Sequence, residues 1–441
     1  MVSNYNIGLL NGIICSKDGS LKGSIGIKNG KIAKIGKINP NDCEEIIDCK
    51  NKHIFPGIID TQVHFREPGL SHKEDIKSGT KSALLGGVTT IFEMPNTSPA
   101  TINKKELNKK LNIAKKSSWV NYSFFIGACK ENLNNLAKLE KLPGCAGIKI
   151  FMGSSTGTLL LSEEKQLEKA LKNCKRRVAI HSEDEKRLKE RFNKINKTKG
   201  VNQHEKWRDK ESAIISTKRV LKYAKKYNTK VHILHISTKD EINLLKNTKS
   251  NITAEVTPQH LTLFSPKCYS KLGTKAQMNP PIRDISHQKG LWKGVKNGTI
   301  NVIGSDHAPH TLKEKQLKWP NSPSGLPGVQ TTLHLMLHHL SKGKIKLEKI
   351  VELLSYNPAK IYKIKNKGQL KKGFDADVTI LDLNKTYTIK NSDMGYKSKW
   401  TPFDGMKIKG DILATIINGK IKMINKRILG KPDGKIILFK N

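Results

Sequence analysis

The stretch Ile54-Phe-Pro-Gly-Ile-Ile-Asp-Thr-Gln-Val-His-Phe-Arg-Glu-Pro-Gly69 decides the fold. An apolar run from Ile54 to Ile59 gives way to Asp60, Gln62, His64 and Arg66 at strict alternation. Alternate residues of a β-strand share a face, so these polar side chains point one way as the strand leaves its core. Pro68 and Gly69 then end it. An amphipathic edge strand with a solvated face would read the same way. The two readings part on whether other strands end alike.

Between about 53 and 365, apolar strand candidates alternate with amphipathic helices. The strands are expected at 54–64, 88–95, 122–127, 146–152, 177–181, 230–236, 252–256 and 300–305, with helices at 104–116, 163–173, 212–227 and 239–247 among them. Such repetition fits a closed (β/α)8 TIM-type barrel, an α/β fold, better than an open doubly wound sheet. No glycine-rich phosphate loop follows the first strand, which weighs against a dinucleotide fold. The ends are different in texture: short alternating segments with Asn-Gly turns fill 5–50, and similar segments return at 377–383, 412–420 and 435–439. The expected organisation is a barrel over 53–365 and a small β-sandwich built from both termini, 1–52 with 366–441.

Composition narrows the function. Lys+Arg 80 against Asp+Glu 38 gives a formal charge of +42, yet the lysines are spread along the chain without a nucleic-acid motif. They read as a surface bias that draws in small anions, and no nucleic-acid partner is expected. Seven scattered Cys without a CxxC pair suit buried thiols in a reducing compartment. With neither a signal-peptide pattern at Met1 nor a membrane-length apolar run, a cytoplasmic protein without membrane contact is expected.

A barrel of this kind keeps its active site at the C-terminal ends of its strands. There the sequence places Gln62, His64 and Arg66, then Asn96, Lys149, His181, His235 and finally Asp306 with His310. Imidazoles from three strands and a carboxylate from the last suit Zn²⁺ or a similar divalent ion, which makes water nucleophilic at neutral pH. Lys149 stands out within Ile148-Lys-Ile-Phe-Met152. An unpaired buried cation is costly, so the lysine is either paired with an acid or converted by CO₂ to a carbamate. His232, three residues before His235, reads as a packing residue.

The motifs Asp60-Thr-Gln-Val-His-Phe-Arg-Glu-Pro-Gly69, Met94-Pro-Asn-Thr97, Asn279-Pro-Pro-Ile-Arg283 and Ser305-Asp-His-Ala-Pro-His310 together resemble those of the dihydroorotases, a branch of the cyclic amidohydrolase superfamily. The likeness runs nearly end to end, through Gly373-Phe-Asp-Ala-Asp-Val378 to Pro402-Phe-Asp-Gly405. It implies a cyclic amide hydrolase of pyrimidine biosynthesis, acting reversibly on N-carbamoyl-L-aspartate and L-dihydroorotate. The resemblance implies His64 as ligand of a first metal, and His181 and His235 of a second. Asp306 would bind metal and shuttle the proton, and Lys149 resembles the N6-carboxylated lysine of the hydantoinase-like branch, where many bacterial dihydroorotases of this type set an Asp bridge nearby instead. Arg66, Asn96 and His310 would clamp the substrate carboxylate, while Asn279 and the 325–328 loop, with Gly325 and Leu326, would hold the ring amides. His260 and His307 fall into supporting positions.

The resemblance also implies a homo-oligomer, with aspartate transcarbamoylase as a candidate partner. Hydantoinases and allantoinases share the fold and form the alternative, and a non-catalytic partner of the transcarbamoylase is another. One position departs from the pattern. Where the family usually has His-x-His, this chain has Gln62 before Val63 and His64. An amide oxygen is a weaker ligand than imidazole, so one or two zinc ions per chain are both open.

Overall fold

The computed structural model describes residues 3–155, 159–248 and 250–440. Of the expected domain ranges, residues 1–2, 156–158, 249 and 441 lie outside the described residues. Eight strands pair side by side in chain order: Ile58–Val63, Val88–Glu93, Asn121–Gly127, Cys145–Phe151, Val178–His181, Val231–Ile233, Ile252–Val256 and Val302–Ile303. All these pairings are parallel. A parallel bridge from Val63 to His307, with the His64 N–H donating to His307 O at 2.7 Å, joins the last strand to the first. The protein is a (β/α)8 barrel.

Strands buried on both faces explain the near-continuous apolar runs read from the sequence. Every residue of Ile58–Val63, Val88–Glu93 and Cys145–Phe151 is buried. The helices between them cover the barrel with one apolar stripe each. In Lys104–Ser117, capped by Asn103, the inward residues are Leu107, Lys110 and Ala114. Lys110 is buried because its ammonium pairs with Glu93 and donates to Met94 O at 3.0 Å.

The deciding stretch is two strands rather than one. His53–Pro56 belongs to a second sheet, and the barrel strand starts at Ile58. Gly57 makes the transfer. A Cβ there would lie 2.2 Å from Thr89 Oγ1, so only glycine lets the chain pass so close to the neighbouring strand. The last barrel strand is also shorter than expected, Val302–Ile303, because the chain turns out toward the mouth at once.

The second sheet has nine strands in the order Arg427–Ile428, Lys420–Ile424, Lys407–Ile417, Val378–Thr388, His53–Pro56, Tyr5–Ser16, Gly19–Lys28 and Lys31–Gly36, with Cys43–Asp48 pairing the start of Tyr5–Ser16. It is thus assembled from both ends of the chain, and Leu9, Ile25, Ile32, Ile54, Val378 and Ile416 share its core. The segment around 435–439, read from the sequence as part of that sheet, goes elsewhere. Ile436 bridges to Tyr122 and Phe439 to Ile364, and Ile437 packs with Ile59, Phe92, Phe125 and Tyr362. The chain's end therefore helps to floor the barrel. Among the described residues no helix is long and apolar enough to cross a membrane.

Candidate active site

The strand ends open into one pocket of about 350 Å³. Gln62, His64, Arg66, Asn96, Lys149, His181, His235, Asn279, Asp306 and Gly325 all line it, so most of the residues singled out from the sequence share one space. Three of them carry backbone that L-residues seldom adopt: Arg66 at φ 62°, His235 at φ 37° and Asp306 at φ 45°. Such conformations cost of order 1–3 kcal/mol each and persist where the surroundings hold a side chain in place.

The donors form two groups. His181 Nδ1 and His235 Nε2 lie 3.0 Å apart. His181 Nε2 lies 3.0 Å from Glu183 Oε2, off the line of a hydrogen bond but close enough for the carboxylate charge to favour the ring proton on Nε2, with Nδ1 as the lone pair toward its partner. Arg208 holds that carboxylate, its Nη2 donating to Glu183 Oε2 at 2.5 Å and to Ser154 O at 2.8 Å. In the other group His64 Nε2 lies 3.2 Å from Asp306 Oδ1, and Gln62 Nε2 donates to the same oxygen at 2.9 Å. His64 Nδ1 contacts Asn96 Oδ1 at 2.7 Å. Burial holds His64 and His181 below the ordinary imidazole range and His235 well below it, so all three are in the neutral, ligand-competent form near pH 7.

Among the described residues no three His, Cys, Asp or Glu side chains form a ready metal cage. The donor types are nevertheless those a divalent ion uses: neutral imidazoles and one carboxylate, with a further carboxylate 3.0 Å behind His181. Orphaned polar atoms point to the same conclusion. Among the described residues Lys149 Nζ, Gln62 Oε1 and His235 Nδ1 are buried without a hydrogen-bond partner. Lys149 is 1% exposed, its Nζ sits 4.5 Å from the centre of the Phe151 ring, and burial pushes its pKa down to about 7. Of the two readings open for this lysine, simple pairing with an acid is not what is found among the described residues.

Arg66 is buried as well. Its Nε donates to Pro309 O at 3.3 Å, its Nη2 lies 3.3 Å from His310 Nε2, and among the described residues no carboxylate pairs with it. His310 stands behind the guanidinium rather than on the pocket wall. Its Nε2 is 3.0 Å from Ser324 O and therefore donates there, while Lys73 Nζ, at 3.2 Å, donates to Nδ1. Leu326 likewise misses the pocket, packing with Met278, Ile282 and Trp400. Asn279 Oδ1 is held by His204 Nε2 at 3.0 Å, which leaves its Nδ2 for a ligand. The Gly325 N–H donates to Gln277 O at 3.0 Å and so is engaged within the protein. A Cβ at Gly325 would meet Ala308 O at 2.3 Å, where φ is 144°.

His232, His260 and His307 support the walls. His232 bonds Thr253 Oγ1 at 2.8 Å, His260 contacts Pro280 O at 3.1 Å, and His307 Nδ1 accepts the Gly328 N–H at 3.0 Å. The sequence reading passed over Glu183 and Arg208, although a Glu two residues beyond a strand-end histidine was a visible signal. It also gave no site role to two acids inside the barrel, Asp60, noted only for its place in the alternation, and Glu255. Asp60 accepts the Ser305 N–H at 3.0 Å, and Glu255 binds Thr61 and faces His232 at 3.3 Å. Burial pushes Asp60 up to about 7 and Glu255 up to about 8.

With this geometry in view, the comparisons with known proteins fall into place. The amidohydrolase family model matches residues 53–422, and the chain belongs to that family; it is a cyclic amide hydrolase. Within the family, the chain is 37% identical over 425 residues to a dihydroorotase of Pyrococcus horikoshii, covering 96% of this chain and 93% of that one. It is 32% identical to an allantoinase of Desulfitobacterium hafniense, covering 98% and 99%. An L-hydantoinase (dihydropyrimidinase) structure from Arthrobacter aurescens superimposes with a TM-score of 0.93 at 26% identity, over 98% of this chain and 99% of that one.

Proposed function

We propose that the chain is a dihydroorotase, closing N-carbamoyl-L-aspartate to L-dihydroorotate and water, and reversing that step, in pyrimidine biosynthesis. The observation that carries the choice within the family is Arg66. A buried guanidinium that no carboxylate pairs with directly among the described residues is suited to an anionic ligand, and its planar fork fits a carboxylate at two points. A neutral hydantoin ring offers it nothing. The dihydroorotase relatives support the same choice.

Asn96 shares the pocket wall with Arg66 and adds a polar contact to the substrate carboxylate. Asn279 Nδ2 and the Gly325 carbonyl present a donor and an acceptor for the ring amides. His64, His181, His235 and Asp306, with Lys149 and Gln62, would hold divalent metal, expected to be zinc. Bound there, the metal supplies Lewis-acid polarisation of the ring carbonyl and lowers the pKa of water. Lys149, whose pKa burial brings down to about 7 so that a large share of its amine is neutral near pH 7, is suited to take up CO₂ and become an anion, which removes the cost of a buried cation. Asp306 takes the proton of the attacking water and returns it to the departing ring nitrogen, so the proton balance closes on one carboxylate. A cytoplasmic homo-oligomer is expected, with aspartate transcarbamoylase as a candidate partner.

A substrate panel tests the reading. Dihydroorotate is expected to turn over far faster than hydantoin or allantoin; the reverse order would move the chain to a neighbouring branch of the family.

A further inference from the structure

We propose that Gln62 is a latch on one half of the metal site, so that the chain holds one ion tightly on the His181 and His235 side and a second only weakly on the His64 and Asp306 side. The inference rests on the metal-dependent reading above and concerns what this chain's own residues do with it.

The two halves differ in what occupies them without an ion. His64 Nδ1 donates to Asn96 Oδ1, because a carbonyl oxygen only accepts, and Nε2 is then a bare lone pair. It faces Asp306 Oδ1 at 3.2 Å. Two lone pairs at that distance repel unless something positive is supplied. The Gln62 carboxamide supplies it, turning its Nε2 to the same oxygen at 2.9 Å. The nitrogen must face the carboxylate, since the amide oxygen could not. Gln62 Oε1 is consequently stranded: the residue is 1% exposed and that oxygen has no hydrogen-bond partner.

A cation entering beside Asp306 has to displace this N–H and turn the amide over, and it gains only a neutral oxygen ligand in return. In the other half the competitor is lighter: the His235 Nε2–H donates to His181 Nδ1 at 3.0 Å and is removed when that ring's proton moves to Nδ1, which frees two imidazole nitrogens as ligands. His181 is set in its ligand tautomer by Glu183, and Arg208 fixes Glu183. His235 Nδ1, without a partner, is free to take the ring proton when Nε2 gives up its lone pair. An imidazole at position 62 would bring a second nitrogen ligand where the amide now brings a competing donor.

The test counts ions. Chelator-stripped full-length protein is equilibrated in a series of buffered free Zn²⁺ concentrations, and bound zinc per chain is read by native mass spectrometry. Wild type is expected to bind its second ion about 10- to 100-fold more weakly than its first. Gln62→His is expected to close that gap and hold two ions at free Zn²⁺ where wild type holds one. Gln62→Glu, which cannot donate to Asp306, is expected to raise the count in the same direction and covers the case in which the histidine variant fails to fold. His181→Ala is expected to lose the tight ion. Two ions of equal affinity in wild type, a count unmoved in both Gln62 variants, or a tight ion retained by His181→Ala would each overturn the proposal. Turnover of dihydroorotate against hydantoin on the same samples reads the substrate assignment separately, since a change of preferred ring leaves the ion count untouched.

Discussion

The two ends of the barrel obey opposite rules. At the floor, Phe92, Phe125, Tyr362 and Phe439 meet edge to face, with Phe92 and Tyr362 ring centres 5.0 Å apart and Phe92 and Phe439 5.9 Å apart. The aromatic contacts there serve stability, and the one buried polar atom of these rings without a hydrogen-bond partner among the described residues is the Tyr362 hydroxyl. At the mouth, among the described residues, Lys149 Nζ, Gln62 Oε1 and His235 Nδ1 are buried without hydrogen-bond partners, no carboxylate pairs with Arg66, and three backbones sit at positive φ. That end carries groups whose partners are ligands. Mutations at the mouth should therefore cost activity and spare the fold, and mutations at the floor should do the reverse.

The largest effect is expected at Asp306. Asp306→Ala should lower kcat for dihydroorotate by about 10²- to 10⁴-fold, the usual contribution of a placed acid–base group, with the unfolding transition little changed. Kinetics beside a denaturation curve check it, and substantial residual turnover would remove Asp306 as the proton carrier. Arg66→Ala comes next. Losing a charge-assisted contact to the substrate is worth about 2–5 kcal/mol, which should emerge chiefly as a raised KM. An unchanged KM for dihydroorotate would count against the anion-binding role.

Of similar size but on the other axis, Phe92→Ala at the floor should cost about 3–5 kcal/mol of stability through the cavity it leaves, while kcat of the remaining folded protein holds. If that variant instead folded normally and lost activity, the division between the two ends would be wrong.

How much of this was legible in the sequence follows the same division. Barrel strands buried on both faces must be apolar throughout, so Val88–Glu93 and Cys145–Phe151 announce themselves, and polar residues at their ends are conspicuous. The strand-end rule thereby located His64, Lys149, His181, His235 and Asp306 before any coordinates. The break at Gly57 was not legible, because Ile54 to Ile59 is one apolar run and only the approach of Thr89 shows that it serves two sheets. The return of Ile437 and Phe439 to the barrel floor was equally hidden, since an alternating segment does not say which sheet it joins. His310 was assigned to the carboxylate clamp from its motif, but its ring nitrogens are engaged by Ser324 and Lys73, a matter of which loop lies behind it. Glu183, Arg208 and Glu255 act through contacts between separate strands and loops, which spacing alone does not encode.

The smallest expected effect concerns Glu255, which lies inside the barrel between the two ends. Burial raises its carboxyl to about 8 against an ordinary value of 4.5. A carboxyl with a raised folded pKa binds a proton more readily in the folded chain than in the unfolded one. Its contribution is therefore fully present below the unfolded value and is lost as pH rises through the folded value. Between about pH 4.5 and 8 the native protein should lose stability from this group alone. Glu255→Gln, which keeps the shape and the bond to Thr61 but cannot ionise, should be neutral at pH 4 and stabilising at pH 8. Thermal unfolding of the two proteins at both pH values measures it. A stabilisation equal at pH 4 and 8 would mean that Glu255 is not the neutral acid its burial implies, and that an ion or Lys149 holds it charged as part of the mouth rather than the core.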